Sequence, residues 1–347
     1  MNHRIRTIVR IVLFVGTAIS MFYVPWPIIR TWIQPLPDTV QEQINDATNH
    51  GFDGMIVYVD QGGKEPAFYA AGWKNKENKV PADPHALFKI ASVSKLYHAV
   101  AITKLVSSNK LSLDGTLADY FPELVGRVEY ADQITLRMMV QHRSGLPNFT
   151  DTPDYWTYPA ESSEAALALI YDMPAEFAPG ESYMYCNTNY LLLSMLIEKV
   201  SGMTTFEYIK EVILNPLGLT HTYGSIHEVN MDDVMSGYYI GVERDIKTED
   251  YGSMLATPED VGKFIRALND GSVFNAGEKE IYSSIYEYGH GGLIPGYMTY
   301  AYYHQDIDAV VVQMINTTDF NGYEWNIHQI IYNRIVKIIR NNTSSIQ

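Results

Sequence analysis

The stretch "LFKIASVSKLYHAV", residues 87–100, places Ser92 and Lys95 three positions apart where an apolar segment begins. The segment predicts a helix that starts near Ser92 and ends near Ser107, with apolar residues on most of its sides. A helix of that kind is buried in the core of a protein. We therefore expect Lys95, on the first turn of the helix, to be partly buried as well.

The spacing of Ser92 and Lys95 has a chemical meaning. Residues three apart share one face of a helix, so the lysine amine can reach the serine hydroxyl. Burial disfavours the charged form of a lysine, and a neutral amine can take the serine proton while the serine attacks a carbonyl. The alternative is that Ser92 only caps the helix and Lys95 extends its amine towards solvent.

The pair alone does not decide between these interpretations. The same spacing recurs at Ser107 and Lys110, where the predicted helix ends in a polar turn. Serine and lysine are common residues, so one such match is expected by chance in a chain of this length. The apolar context favours Ser92, and further motifs are needed to settle its role.

A second motif lies in "YMYCNTNYLLL", where Tyr185 and Asn187 flank Cys186. Among the 26 tyrosines this is the only Tyr-x-Asn sequence. A phenol can relay a proton between a lysine, a serine and a leaving group, and an amide can bind the lysine and a substrate carbonyl together. The alternative is that Asn187 caps the following helix and Tyr185 is a packing residue.

A third motif lies in "EYGHGGLIPGYMTY", where we expect His290, Gly291 and Gly292 to end a strand and enter a tight turn. Paired glycines allow a substrate backbone to approach, and a nearby N–H group can form half of an oxyanion hole. The alternative is a hairpin turn beside an ordinary histidine. His142, in "QHRSG", is interpreted as a structural turn residue.

The order of the predicted elements indicates an α+β fold. Strand-like runs lie at both ends of the domain, and a mainly helical region of about 112–240 lies between them. The runs span residues 54–60, 67–71, 286–290, 296–304 and 309–316. The simplest architecture is one antiparallel sheet built from the two ends, flanked by helices and carrying a helical inserted lobe. We also expect Asp38 to cap a helix at 38–50 and Thr257 to cap another that has Pro258 at its first position.

The N-terminal 37 residues form a separate region. Arg4, Arg6 and Arg10 precede an uncharged run at 11–29, which is long enough to cross a bilayer. This charge distribution favours an N-terminus in the cytoplasm and a domain, residues 38–347, in the periplasm or outside the cell. The alternative is a cleaved secretion signal ending near "AIS", residues 18–20. A short linker with two prolines, Pro35 and Pro37, follows.

Composition excludes several classes of function. Residues 1–37 carry four arginines and no acid, so the remainder has 25 − 4 = 21 bases against 40 acids, a net charge of about −19. Such a domain should not bind nucleic acid, which requires a basic face. Cys186 is the single cysteine, and no metal-binding motif is present, so neither a disulfide nor a metal or other cofactor is predicted.

Taken together, the three motifs resemble the serine β-lactamase-related family, which includes class C β-lactamases, D-alanyl-D-alanine carboxypeptidases, esterases and D-amino-acid peptidases. The matching residues, in chain order, are Ser92, Lys95, Tyr185, Asn187, His290, Gly291 and Gly292. "MVQHRSGLP" and "YGSMLATPEDVGKF" are also similar to family segments. The resemblance implies a β-lactamase/transpeptidase-like fold over about 38–340.

The resemblance also implies a role for each residue. Ser92 would form an acyl-enzyme, Lys95 and Tyr185 would share the proton transfers, and Asn187 would position the substrate. The backbone N–H groups of Ser92 and Leu293 would form the oxyanion hole. In the last motif, many relatives have Lys-Thr-Gly where this chain has His-Gly-Gly, which favours the family's esterases and peptidases over efficient β-lactam hydrolysis.

These observations predict a membrane-anchored serine hydrolase that acts on an amide or ester, such as a cell-wall-derived D-amino-acid peptide. A carboxylesterase or β-lactamase with the same site is the alternative among enzymes. A non-catalytic envelope protein that binds or senses penicillin-like ligands is the alternative from another class. The sequence leaves the oligomeric state open.

Overall fold

The computed structural model describes residues 3–344. Its centre is a six-stranded antiparallel sheet in the order β3-β2-β1-β10-β9-β8. The strands are β1 Gly54–Gln61, β2 Ala67–Asn75, β3 Val80–Pro81, β8 His290–Ile294, β9 Tyr297–His304 and β10 Ala309–Ile315. The first strand pairs with β10, with Met55 opposite Ile315, so the two ends of the domain form one sheet as the sequence predicts.

Thirteen α-helices and five short strands, together with short 3₁₀ and π segments, complete the described part of the chain. The helices are α1 His3–Ser20, α2 Trp26–Ile33, α3 Val40–Ala47, α4 Ser94–Ser107, α5 Leu117–Tyr120, α6 Leu136–Val140, α7 Ser163–Ala168, α8 Asn187–Ser201, α9 Thr205–Ile209, α10 Asn215–Leu217, α11 Pro258–Asp270, α12 Glu278–Ser283 and α13 Glu324–Ser344. The short strands are β4 Phe88–Lys89, β5 Thr222–Tyr223, β6 Tyr238–Tyr239, β7 Leu255–Ala256 and β11 Thr317–Thr318. Residues 1, 2 and 345–347, at the outer ends of the two predicted regions, lie outside the described residues.

Alternate residues of the sheet belong to two hydrophobic cores. In β1, Met55 and Val57 face a layer formed by α3 and α13, whereas Ile56 and Tyr58 face a larger core that contains α4, α11 and the helical region. Successive side chains of a strand point to opposite faces, so one short strand supports both layers. Helix α4, which carries Lys95, is buried on most sides in the larger core, as its sequence predicts.

Two predicted element boundaries are wrong. The strand expected at 286–290 begins only at His290, and the tight turn lies at Gly296, whose φ is +80°. Gly291 and Gly292 are extended residues paired with Tyr300 and Thr299, so the expectation of a tight turn at these glycines is wrong.

The helix caps also differ from the prediction in one case. Thr39, not Asp38, caps α3, because its hydroxyl accepts the Glu42 N–H and the Glu42 carboxylate accepts the Thr39 N–H in a capping box. Thr257 caps α11 with Pro258 at the first helical position, as predicted.

Candidate active site

Ser92 and Lys95 are in direct contact. The Lys95 amine donates a hydrogen bond to Ser92 Oγ at 3.1 Å, and the lysine side chain is buried. Ser92 lies in a 3₁₀ turn, Ala91–Val93, that leads into α4, and no side chain caps either element. The alternative of a capping serine and a solvent-directed lysine is therefore wrong.

Tyr185 and Asn187 complete this contact. The Tyr185 hydroxyl donates to Ser92 Oγ at 2.6 Å, and the Lys95 amine donates to Asn187 Oδ1 at 2.9 Å. Helix α8 begins at Asn187, but its side chain caps nothing and instead donates to Thr150 Oγ1 at 3.0 Å. The interpretation of Asn187 as a cap is wrong, because Lys95 and Thr150 occupy its amide group.

The partners of the Lys95 amine are uncharged. Its nitrogen lies 5.0 Å from the centre of the Tyr185 ring and 5.3 Å from that of the Tyr190 ring, in addition to its two hydrogen bonds. Within residues 3–344, no carboxylate lies within ion-pair distance of this amine. The amine is therefore placed to exchange a proton with the serine hydroxyl rather than to neutralise an acid.

The third motif, His290-Gly291-Gly292, lies on the edge strand β8, which packs against the turn that holds Ser92. Strand β8 pairs with β9 on one side only, so its other side presents backbone groups without a strand partner. A Cβ atom on Gly292 would lie 2.5 Å from the Ile90 carbonyl oxygen and 3.1 Å from the Ser92 nitrogen. Glycine at this position therefore lets the open strand edge lie against the turn that holds Ser92.

The turn before Ser92 is held in an unusual conformation. Ala91 has a φ of +50°, in the left-handed region that is unfavourable for residues other than glycine. Its N–H donates to Ser253 Oγ at 2.9 Å, and the N–H of Ile90 donates to the Met254 carbonyl at 3.0 Å. These bonds tie the turn to the segment before β7 and fix the direction of the Ser92 backbone.

His290 is a buried, neutral residue at the start of β8. Its Nδ1 contacts the Gly291 carbonyl oxygen, and its Nε2 lies 3.4 Å from Glu287 Oε1. Burial is the main cause that lowers the pKa of His290 to about 4, and the charge of Lys95 acts in the same direction. At neutral pH the His290 side chain therefore offers no positive charge to a substrate.

His142 is a site residue whose importance the sequence did not reveal. Its buried ring stacks between Tyr185 and Tyr190, at centroid distances of 4.5 and 5.1 Å. The Nδ1 atom accepts the N–H of Cys186 at 3.1 Å, and the carbonyl accepts the N–H of Met184 at 3.0 Å. His142 thus fixes the backbone on both sides of Tyr185. The only sequence signal was its place in "QHRSGLP".

The environment of His142 also keeps its ring neutral. Burial first, and then the charges of Lys95 and His290, lower the pKa of His142 to about 3. Because Nδ1 accepts a hydrogen bond, the neutral ring carries its proton on Nε2. That nitrogen is buried and has no hydrogen-bond partner among the described residues.

The Ser92 hydroxyl thus lies beside two groups that can exchange a proton with it, Lys95 and Tyr185, and beside the open edge of β8. A site of this kind can catalyse acyl transfer. Residues 29–284 match the sequence profile of a family described as Beta-lactamase. The chain belongs to the β-lactamase family. It has the β-lactamase/transpeptidase-like fold and is a serine hydrolase of this family.

Known proteins from several bacteria are similar to this β-lactamase-family hydrolase. Penicillin-binding protein 4* of Bacillus subtilis (strain 168) is 24% identical over 85% of this chain and 73% of the relative. Protein flp of Staphylococcus aureus (strain COL) is 27% identical over 54% of this chain, and the match spans only 39% of that relative's length.

Solved structures share the fold. The D-amino acid amidase from Ochrobactrum anthropi SV3 complexed with D-phenylalanine has a TM-score of 0.78 and 22% identity, covering 87% of this hydrolase and 98% of the amidase. The penicillin binding protein from Bacillus halodurans has a TM-score of 0.71 and 22% identity, covering 86% and 98% of the two chains.

Proposed function

We propose that the protein is a membrane-anchored serine hydrolase that forms an acyl-enzyme on Ser92 with an amide or ester of a D-amino-acid peptide. The observation that carries the proposal is the convergence of two proton-exchanging groups on one hydroxyl. Lys95 Nζ and Tyr185 OH lie 3.1 and 2.6 Å from Ser92 Oγ. This is the arrangement expected for an activated nucleophile.

The reaction proceeds in two halves. Ser92 Oγ attacks the carbonyl carbon while its proton passes to the Lys95–Tyr185 pair, and the negative oxygen is held by the N–H groups of Ser92 and Leu293. Tyr185 then returns the proton to the leaving nitrogen or oxygen as its bond to carbon breaks. Water attacks the resulting ester and transfers a proton to the same pair, which passes that proton to Ser92 Oγ as the bond between Oγ and the carbonyl carbon breaks, so that the acid leaves and the Ser92 hydroxyl is restored. Asn187 positions the substrate carbonyl through the second N–H of its amide, beside the one that donates to Thr150.

The electrostatics near His290 support a substrate without a carboxylate at this position. The side chain there is neutral, and the Glu287 carboxylate lies 3.4 Å from it. A lysine in this place, as in the Lys-Thr-Gly of many relatives, would attract a substrate carboxylate, whereas this pair does not. An amide, an ester or an internal peptide bond therefore fits better than a free D-alanyl terminus or a β-lactam.

Similar proteins support the D-amino-acid part of the proposal. One neighbour by structure is a D-amino acid amidase complexed with D-phenylalanine, and other similar proteins are penicillin-binding proteins. The described helix at His3–Tyr23 is long and apolar enough to cross a membrane and is not buried in the domain. With the arginines before it, this helix would hold the domain in the periplasm or outside the cell, where cell-wall-derived peptides occur.

Intact-mass analysis of the full chain tests the assignment. The protein is incubated with a fluorescent penicillin, a D-alanyl dipeptide ester and a simple acyl ester, and the modified peptide is located after digestion. We expect a D-alanyl adduct on the peptide that bears Ser92, and none in Ser92→Ala. The matched control is Ser107→Ala, which removes the exposed serine of the second Ser-x-x-Lys sequence and should change nothing.

Other outcomes of the same experiment would contradict the proposal and indicate a different function. Turnover of the simple ester without the D-alanyl ester would indicate a carboxylesterase. A permanent penicillin adduct without turnover of either ester would indicate a binding or sensing protein. Full hydrolysis by Ser92→Ala would show that the nucleophile is another residue.

A further inference from the structure

A second, shorter helix follows the candidate membrane span and leaves an apolar face uncovered. In α2, Trp26, Trp32 and Ile33 are 40%, 72% and 64% exposed. Phe22 and Tyr23, just before this helix, are more than 80% exposed. Large apolar side chains clustered in this way mark a surface that contacts another phase or partner.

The opposite side of α2 is fixed to the hydrolase domain. Thr31 is fully buried, and its hydroxyl lies 3.2 Å from His50 Nδ1. The Arg334 guanidinium, on α13, donates to the carbonyl oxygens of Gln34 and Pro35 at 2.8 and 2.6 Å. The chain after the candidate span His3–Tyr23 is thus bound to the domain through α2 and the first residues after it.

The helix cannot lie far from the end of the span. Only Val24 and Pro25 separate Tyr23 from the first residue of α2, and the Trp26 indole N–H donates to the Met21 carbonyl at 2.9 Å. A chain extends at most about 3.5 Å per residue, so α2 starts within about 10 Å of Tyr23, where the candidate span His3–Tyr23 would leave the bilayer. If α1 crosses a membrane, α2 must lie at its surface.

We propose that α2 is an interfacial helix whose face of Trp26, Trp32 and Ile33 inserts into the boundary between lipid headgroups and acyl chains. Tryptophan and tyrosine favour that boundary, which explains why they flank the end of the span. The charge of the segment also suits a lipid surface, because residues 21–37, which follow the span on the same side of the membrane as α2, carry Arg30 and no acid.

This proposal rests on the proposed membrane anchor, and it implies that the domain is held in a fixed position relative to the membrane. A domain bound through Arg334 and Thr31 to an interfacial helix cannot move freely on a tether. Its active site would be held at one height and one orientation above the membrane. The hydrolase would then act on substrates at that height rather than throughout the space that a flexible linker would allow.

Spin labels on the full chain test the proposal in vesicles of phosphatidylcholine and phosphatidylglycerol. Single cysteines replace exposed residues in three places: Phe14→Cys in α1, Ile33→Cys in α2 and Tyr158→Cys in the helical region. The native Cys186 is buried, and the unsubstituted chain serves as the labelling control. Collision rates with oxygen, which enters lipid, and with a water-soluble nickel chelate are measured for each label.

We expect the label at position 33 to be accessible to oxygen and shielded from nickel, at a depth between the labels at positions 14 and 158. A position-33 label as open to nickel as that at position 158, with a lipid-buried label at position 14, would overturn the proposal and leave the anchor intact. Shielding from both reagents would show that protein covers the face, which also overturns it. Exposure of the label at position 14 to nickel would refute the anchor itself.

Discussion

A single buried histidine connects the nucleophile's partner to the rest of the fold. His142 stacks on Tyr185 and accepts the N–H of Cys186, while Tyr185 donates to Ser92. We infer that His142 is a positioning residue, because it does not touch Ser92 and acts on it only through Tyr185. A φ of +56° at His142 shows that the chain keeps a strained backbone to place this ring.

Replacing His142 tests that role. His142→Ala leaves the Cys186 N–H without its acceptor and Tyr185 without its stacking partner, so we expect the acylation rate to fall about 100-fold, as when proton transfer is lost, with little change in KM. His142→Asn should recover part of the rate, since its Oδ1 can take the place of Nδ1 and asparagine tolerates positive φ. Single-turnover acylation measures both variants.

The control for His142 is His328→Leu, which changes another buried histidine, one that packs against Tyr300 and Trp325. Thermal unfolding of each variant separates lost stability from lost positioning. If His142→Ala and His328→Leu slow acylation equally, or if His142→Asn is as slow as His142→Ala, His142 has only a structural role.

His290 permits a prediction about substrate choice. His290→Lys would place a positive charge where a neutral ring now lies, and we expect acylation by a fluorescent penicillin to rise about 10-fold through attraction of its carboxylate. Acylation by a neutral amide should not rise. Glu287→Gln removes the exposed negative charge beside His290 without altering the core. This variant should also raise the acylation rate with penicillin relative to the neutral amide, but by less than His290→Lys.

The ratio of the penicillin and amide acylation rates measures this effect in both variants. If neither variant changes the ratio, charge at this position does not select the substrate, and the preference for neutral groups must be sought elsewhere in the site.

At the scale of single residues, the types and order of the site residues are predictable from the sequence, but their contacts are not. Ser92 and Lys95 could be paired because helix geometry fixes residues three apart. Their contact with Tyr185 spans 93 residues, and no local pattern specifies it. The role of His142 is not predictable for the same reason, since a lone histidine in a turn has no periodicity to mark it. The distances that define its contacts exist only in the folded chain.

At the scale of elements, the fit of β8 against the nucleophile turn depends on the two glycines that face opposite sides of the strand. A Cβ atom on Gly292 would lie 2.5 Å from the Ile90 carbonyl oxygen, whereas one on Gly291 would meet the Trp325 ring at 2.9 Å, on the side of α13. Only the contact of Gly292 is with the backbone that carries Ser92. Alanine substitutions at Gly291 and Gly292 therefore form a matched pair, in which one crowds the nucleophile turn and the other does not.

We expect Gly292→Ala to lower the acylation rate by about 100- to 1,000-fold, the range seen when an oxyanion donor is lost, because the strand must move away from Ser92. Gly291→Ala should lower the melting temperature through the Trp325 contact and leave the acylation rate within a few-fold. Burst kinetics with the D-alanyl ester and thermal unfolding measure the two effects. Equal rates for the two variants would show that the distance between β8 and Ser92 is not critical.

The same strand shows why element boundaries were predicted poorly. Adjacent glycines usually indicate a turn, and this pattern placed the strand before His290 rather than after it. The requirement for glycine comes from the turn at Ile90 and from Trp325, which are distant in sequence. By contrast, α11 was predicted with its cap because Thr257 and Pro258 act on the residues beside them.

At the scale of the whole molecule, the antiparallel sheet built from both ends of the domain was predictable because alternation and strand length are local signals. The attachment of α2 was not. Arg334 binds the carbonyls of Gln34 and Pro35 across about 300 residues, and the two prolines in the sequence indicated only a linker. Whether a proline-containing segment is a free linker or a docked one depends on the surface it meets.

The interior of the molecule also predicts sensitivity to acid. His142, His290 and His328 are buried and neutral, and burial is the main cause that lowers their pKa values to about 3, 4 and 3. Each unfolded histidine takes up a proton below about pH 6.5, whereas the folded one does not until its own pKa is reached. The unfolded state therefore binds more protons in this window, and stability falls as the pH drops from about 6.5 towards 4.

His328 isolates this effect from the active site. Neither of its ring nitrogens has a hydrogen-bond partner among the described residues, so a leucine of similar volume removes two buried polar atoms and breaks no hydrogen bond of the ring. We expect His328→Leu to reduce the pH dependence of the free energy of unfolding by up to about 1.4 kcal/mol per pH unit between pH 6 and 4. Urea unfolding of the full chain in detergent micelles at several pH values measures the slope.

At pH 8 His328 is neutral in both the folded and unfolded states, so the difference in free energy of unfolding between the two proteins at that pH reports packing alone. Parallel lines for the two proteins at all pH values would mean that the pKa of His328 is the same in the folded and unfolded states, and that the acid sensitivity has another source.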